Sequence, residues 1–246
     1  MEYSIRKIRF AKFQRYVDFF NISIFYKIFA CHGQCIVGVT KKGKEFFKLT
    51  SSLTESINHI YVEDTNIWTS CEYIYNAYEN GADVGFYMCH DQIHSMEMDY
   101  VSKQSEYSAI LGCQDSAIRI INGSTLTYEI ATSAPVMALS SCRTASLRLR
   151  PGCASFLYGT GHGTLTKVDT DGLTCRDIWS IHDDNKATIT DILNADITQD
   201  GHAEIVVARD DGRVEVFSMD DAAGTPVRSF TRDMGRYLWM NGCRDK

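Results

Sequence analysis

The chain has 246 residues, 44% of them hydrophobic and 23% charged, with only three prolines. That composition belongs to an ordinary globular protein with one large or two small cores, and it excludes long disordered or polyproline stretches. A net charge of −6 gives no support for nucleic-acid binding over the whole surface.

In chain order, residues 1–30 stand apart. They hold six Lys/Arg against Glu2 and Asp18, and nine of the thirty are Phe or Tyr. They are read as a divergent basic, aromatic leader outside the repeat that follows. A basic amphipathic surface helix and a targeting presequence are the competing readings. From Cys31 onward the pattern is strands and turns. CIVGVTKKGKEFFKL (35–49) turns at Lys41-Lys42-Gly43, and INHIYVED (57–64) and IWTSCEYIYNAY (67–78) read as two further strand runs. Asn80-Gly81 breaks the chain before VGFYMCHD (84–91) and QIHSMEMDYV (92–101). Asn122-Gly123, Asp171-Gly172 and Asp211-Gly212 are hairpin turns, Pro135 opens the strand VMALS, and 141–153 is a loop by composition. Residues 233–246 leave the pattern as a divergent tail.

A unit recurs within this series. AILGCQDSAIRII (109–121), FLYGTGHGTLTKV (156–168) and IVVARDDGRVEVF (205–217) each join two apolar runs through a Gly- or Asp-rich turn. Gly112 precedes Gly159 by 47 positions, and Gly159 precedes Ala208 by 49. This period, with turn signals at short spacing and no long helical pattern outside the leader, predicts an all-β chain built from propeller blades over residues 31–232. In the last copy Val214, Val216 and Ser218 alternate with Glu215 and Phe217, so the two faces of that strand meet different surroundings. Nine cysteines, an odd number without paired spacing, fit reduced thiols better than a disulfide framework. No apolar run reaches eighteen residues, so no membrane span is expected.

Five pieces carry a family resemblance: VGVTKKGKEFFKLTSSLTESI (37–57), SCEYIYNAY (70–78), LGCQDSAIRIING (111–123), LYGTGHGTL (157–165) and VARDDGRVEVFSMDDA (207–222). Together they resemble the N-terminal β-propeller of the Bardet-Biedl syndrome 7 family of BBSome subunits, from Val37 to Phe230. The resemblance implies a seven-bladed ring. About four blades plus partial ones are legible here, so an incomplete propeller is expected, read as a fragment. A short form that borrows edge pairing from a partner is the alternative. Open sheet edges of that kind invite association.

Several groups of residues have the composition of a site. His90 and His94 have zinc-protease spacing, but Asp91 stands where such a helix needs Glu, and the flanks read as strand. In a strand the two rings would stand about 13 Å apart, too far to share one ion. Cys31, His32 and Cys35 lack a second ligand pair. The run Asp196, Thr198, Asp200, Gly201 and Glu204 is the strongest metal candidate, similar to the calcium loop of integrin-type propellers. Thr198 replaces the central carboxylate, and the competing reading is an Asx-type turn bonding its own amides. Arg209-Asp210-Asp211-Gly212 reads as a solvated hairpin turn with a local Arg–Asp pair. The glycines at 159, 161 and 163 precede a strand, which does not suit phosphate cradling. Tyr73, Tyr75 and Tyr78 are candidate contacts, with packing between blades the preferred role.

No catalytic constellation emerges, so the expected function is a non-catalytic scaffold without cofactor. The resemblance implies other BBSome subunits as partners, ciliary membrane-protein cargo carried through the complex, and a place in the cytoplasm, cilium and basal body on a membrane-associated coat. A calcium-stabilised propeller of an adhesion or hydrolase protein is the alternative. It predicts secretion, paired cysteines and several Asp-rich loops, of which one is present.

Overall fold

Five four-stranded antiparallel sheets, each with its strands in chain order, make up the computed structural model, which describes residues 9–10, 27–101, 107–142, 154–171, 174–220 and 224–235. Blade 1 holds β1 (Arg9–Phe10), β2 (Lys27–His32), β3 (Cys35–Thr40) and β4 (Glu45–Thr50). Blade 2 holds β5 (His59–Glu63), β6 (Asn66–Ser70), β7 (Ile74–Glu79) and β8 (Ala82–Met88). Blade 3 holds β9 (Ile93–Asp99), β10 (Ser108–Cys113), β11 (Ala117–Asn122) and β12 (Thr125–Ala131). Blade 4 holds β13 (Val136–Ser141), β14 (Ser155–Thr160), β15 (Leu165–Thr170) and β16 (Cys175–Ile181). Blade 5 holds β17 (Ile189–Ala195), β18 (Glu204–Arg209), β19 (Arg213–Asp220) and β20 (Thr225–Asp233). The three clear sequence copies are the second and third strands of blades 3, 4 and 5.

The structure adds one full blade to the four read from sequence. Blade 2 escapes a turn-based count because its β5–β6 turn is Asp64-Thr65 and its β6–β7 turn is Cys71-Glu72-Tyr73, neither with glycine. The run read as one strand at 67–78 is therefore two strands. Its β7–β8 turn does carry the expected signal: Asn80 and Gly81 both adopt positive φ, 50° and 81°, which matches the twist of the flanking strands. Blade 1 draws on the leader, since Arg9 and Phe10 pair with Cys31 and Ala30 and β2 starts at Lys27.

Successive blades pack face to face, with the first strand of each blade against the first strand of the next. Four buried clusters fill the four gaps. Cys31 and Ile36 meet Ile60 and Tyr78 between blades 1 and 2, and Tyr61, Trp68 and Tyr75 meet Met98 and Leu111 between blades 2 and 3. Ile110, Ile118 and Ile120 meet Val136 and Phe156 next, and Leu157, Leu165 and Trp179 meet Ile189, Ile205 and Phe217 last. Strand alternation feeds two clusters from one strand: on β10, Ala109 and Leu111 face blade 2 while Ile110 faces blade 4. The middle strands β10 and β14 are accordingly buried throughout, whereas the fourth strands β8, β12 and β20 are mostly exposed.

Close approach at the last two gaps depends on a missing side chain. A Cβ at Gly159 would sit 2.4 Å from Ile189 Cγ2, and one at Gly112 would sit 2.7 Å from Val136 Cγ1. The β-branched residue that opens blade 4 or blade 5 thus presses on a glycine near the end of the previous blade's second strand. The arc is not closed: among the described residues no comparable packing joins blade 5 to blade 1.

Candidate functional site

The acidic run at the β17–β18 connection folds as one turn. Ligand oxygens of Asp196, Asp200 and Glu204 lie within 4.8 Å of one another, the one cluster of three or more such side chains among the described residues. The turn's own donors engage these acids. Glu204 Oε2 accepts from the Ile197 and Thr198 amides at 2.7 and 3.3 Å, and Oε1 accepts from the Thr198 hydroxyl at 2.8 Å. The Gly201 amide donates to Asp196 at 3.0 Å and the His202 amide to Asp200 at 2.8 Å. The Ile197 amide and the Thr198 hydroxyl hold the Glu204 carboxyl below its usual range, and the His202 amide does the same for Asp200. Sequence thus brings the four candidate residues together, in the geometry of a self-capped turn. A hard cation takes six or more oxygens, so these side chains would supply only part of such a shell.

A second polar cluster lies between blades 4 and 5. The expected solvated Arg209 turn is corrected here, because the Arg209 side chain is 2% exposed. Its Nε donates to Glu215 Oε2 at 2.6 Å, and its Nη1 donates to the Ala187 and Gly163 carbonyls at 3.0 and 3.2 Å. The local Arg–Asp pair exists, but Arg213 makes it, with Asp211 at 2.6 Å. Arg213 also grips both oxygens of Asp183, in the β16–β17 connection, at 3.1 and 2.6 Å. Burial pushes the Asp183 carboxyl up, but the Arg213 guanidinium and the Ala187 amide outweigh it and hold the group below its ordinary 3.8. Alternation explains the placement. Glu215 shares the inner face of β19 with Phe217, so it is buried against blade 4 and needs cations. Blade 3 repeats the device, with Arg119 on β11 bidentate to Asp115 at 3.0 and 2.6 Å.

The remaining candidates do not assemble. His90 sits exposed in the β8–β9 connection, and His94 lies on β9 with its Nε2 against the Gln114 side chain. Cys31 and Cys35 flank the β2–β3 turn, and Cys35 faces the Thr50 hydroxyl at 3.5 Å. Neither pair belongs to the acidic cluster. All seven described cysteines are free thiols, and burial pushes Cys71 up to about 11 and Cys142 to about 12, values of inert structural thiols. Tyr75 and Tyr78 are buried in the gaps on either side of blade 2, as the packing role requires. Gly163 closes the β14–β15 turn with a φ of 78°, and a strand follows it.

What the sequence reading missed is apolar surface. Val84, Phe86 and Met88 alternate along β8 and are more than half exposed. Leu193 and Phe230 on blade 5 are each 52% exposed. Alternation in β8 was readable, but only the blade order shows that, among the described residues, no neighbour covers these faces.

The BBS7 beta-propeller family model matches residues 22–236. BBSome complex member BBS7 of Mus musculus is 34% identical over 226 residues, which cover 89% of this chain and 31% of that protein. BBSome complex member bbs-7 of Caenorhabditis elegans is 27% identical over 201 residues, covering 79% of this chain and 27% of that protein. The chain therefore spans less than a third of the length of either relative. In fold it is similar to the WD40 β-propeller domain of Doa1, with a TM-score of 0.63 at 14% identity, over 84% of this chain and 64% of that one.

Proposed function

We propose, for a chain that belongs to the BBS7 β-propeller family, a non-catalytic scaffold role within the BBSome, serving ciliary membrane-protein trafficking and cilium assembly. The observation that carries this reading is the family match across residues 22–236, whose relatives are named as members of that complex. The mechanism is rigid presentation. Consecutive blades locked by apolar gaps and buried ion pairs hold outer strands and turns at fixed angles, and neighbouring subunits read those surfaces by shape. Exposed apolar side chains on β8 suit such contacts, because interface cores are depleted in charge. Cargo is reached through the assembled coat. The chain acts in the cytoplasm, at the basal body and in the cilium.

Affinity purification of the tagged chain from ciliated cells tests this. Stoichiometric recovery of other BBSome subunits is expected, and it should fall when Phe86 and Met88 are replaced by Asp and Lys. Recovery of the chain without any such subunit overturns the reading.

A further inference from the structure

Two thiols that the scaffold role leaves unused meet in the gap between blades 2 and 3. Along the end of β8, Tyr87 and Cys89 pack into this gap while Met88 between them is exposed. On β10, Ala109, Leu111 and Cys113 share the face that looks back at blade 2. Cys89 and Cys113 are 24 positions apart in sequence, yet both lie in the same cluster, at 4% and 0% exposure. Backbone bonds fix the segments that carry them. The Cys89 amide donates to Tyr73 at 2.8 Å, the Ile93 amide to Glu72 at 2.7 Å, and the Gln114 amide to Gln92 at 2.9 Å. Cys113 pairs with Ile93 just past a bulge in the β9–β10 ladder.

The pair is polarised. The Cys89 thiol donates a hydrogen bond to the Cys113 sulfur, and the Arg119 guanidinium also reaches that sulfur. These two contacts hold Cys113 below its ordinary 9.0 against the effect of burial, while the shared bond and burial push Cys89 up. Burial instead raises Cys71, Cys142 and Cys175. Asp115 grips Arg119 with both oxygens, at 3.0 and 2.6 Å, and so keeps the cation in place. One sulfur thus has thiolate character and a second stands beside it, which is the arrangement of an attacking and a resolving thiol. Access selects the reagent. Met88 and His90, on either side of Cys89, are exposed, but the thiols themselves are covered, so a reagent the size of water suits the site.

We propose that Cys89 and Cys113 form a reversible oxidation site, at which hydrogen peroxide converts the two thiols into a disulfide joining blade 2 to blade 3. The Cys113 thiolate attacks the peroxide: an S–O bond forms, the O–O bond breaks, and the departing hydroxide takes up the proton that the thiol released. The Cys89 sulfur then attacks the Cys113 sulfenic acid: the S–S bond forms, the S–O bond breaks, and a second water leaves. Two thiols and one peroxide give one disulfide and two waters, with one electron lost from each sulfur. The bond pins the end of β8, the strand that carries the exposed row Val84, Phe86 and Met88, to the second strand of blade 3.

Peptide mapping tests this on the full chain. The reduced protein, dilute and folded, is treated with a few equivalents of hydrogen peroxide, digested without reduction and analysed by mass spectrometry. The Cys89 and Cys113 peptides should appear cross-linked, two hydrogens lighter than their sum, and dithiothreitol should separate them. In Cys89→Ala, checked for folding by far-UV circular dichroism, Cys113 should run on to the sulfinic acid, because no resolving thiol remains. Two intact thiols under conditions that oxidise free N-acetylcysteine overturn the proposal. So does a parent chain in which Cys113 reaches the sulfinic acid while Cys89 stays reduced. A cross-link that forms only in urea, or that joins either residue to another cysteine, overturns it as well.

Discussion

Replacing Arg209 with Met removes the cation at the centre of the blade 4–blade 5 gap. The lost contacts are the 2.6 Å bond to Glu215 and the donors to Ala187 and Gly163. Glu215, with its side chain 1% exposed, then keeps Arg228 at 2.9 Å and Arg213 at 3.6 Å. Stripping a buried ion of its partner costs about 3–5 kcal/mol. Glu215 retains other cations, so the low end applies, about 3 kcal/mol. For a chain of this size each kcal/mol moves the midpoint by about 2–4 °C, so Tm should fall by roughly 6–12 °C. Adding Glu215→Met removes the stranded carboxylate as well. The double variant should recover about 1–2 kcal/mol relative to the sum of the single changes. Thermal and urea unfolding followed by far-UV circular dichroism measures all three. A loss under about 1 kcal/mol for Arg209→Met, or full additivity in the double variant, would refute the view of this cluster as a clamp between blades.

Other outcomes follow from the same packing. Gly159→Ala drives a methyl group into Ile189 and should cost about 1–3 kcal/mol, whereas Gly161→Ala, whose nearest neighbour is 3.8 Å away, should leave the urea midpoint almost unchanged. Asp183 has a folded value below its ordinary 3.8, so its contribution is present above that pH and is lost as pH falls through the lower folded value. Acid titration of stability should therefore be shallower below pH 3.8 in Asp183→Asn than in the parent; parallel curves would contradict the Arg213 assignment. Millimolar calcium should leave Tm where it is, in the parent and in Glu204→Gln alike, because the turn caps itself. A calcium-dependent rise in the parent that Glu204→Gln abolishes would restore the cation reading.

Legibility in the sequence tracked the turns. Blades 3, 4 and 5 were visible because the tight link between their second and third strands carries Gly or Asp at a fixed offset from the apolar runs. Blade 2 has strands of equal quality, but Asp64 takes its positive φ without glycine and Cys71-Glu72-Tyr73 has no turn signature, so its period stayed hidden. The acidic turn was found as a group because its members are close in sequence. Arg209 was misread for the opposite reason. One of its anions, Asp183, lies 26 positions upstream in the β16–β17 connection, and Glu215 becomes a partner only once β19 turns that face inward. Which polar residues are buried depends on blade order, and no local window contains that.

Blade order also bears on what the domain can do. Each apolar cluster joins only consecutive blades, so stability is close to a sum of blade and nearest-neighbour terms, as in other linear repeats. In such an array an interior blade is held from two sides and a terminal blade from one. The heaviest ion network among the described residues sits at the gap that holds blade 5, with Asp183, Arg209, Arg213 and Glu215 crossing it. Buried ion pairs contribute little net stability compared with well-packed apolar groups, but their bonds are directional. An apolar gap alone tolerates sliding of one sheet on another. A guanidinium fixed to two carbonyls and a carboxylate does not. Blade 5 is thereby held at one angle while, among the described residues, its far face stays bare. Anything that packs there meets a face whose position is already set, and little ordering cost remains to be met on binding.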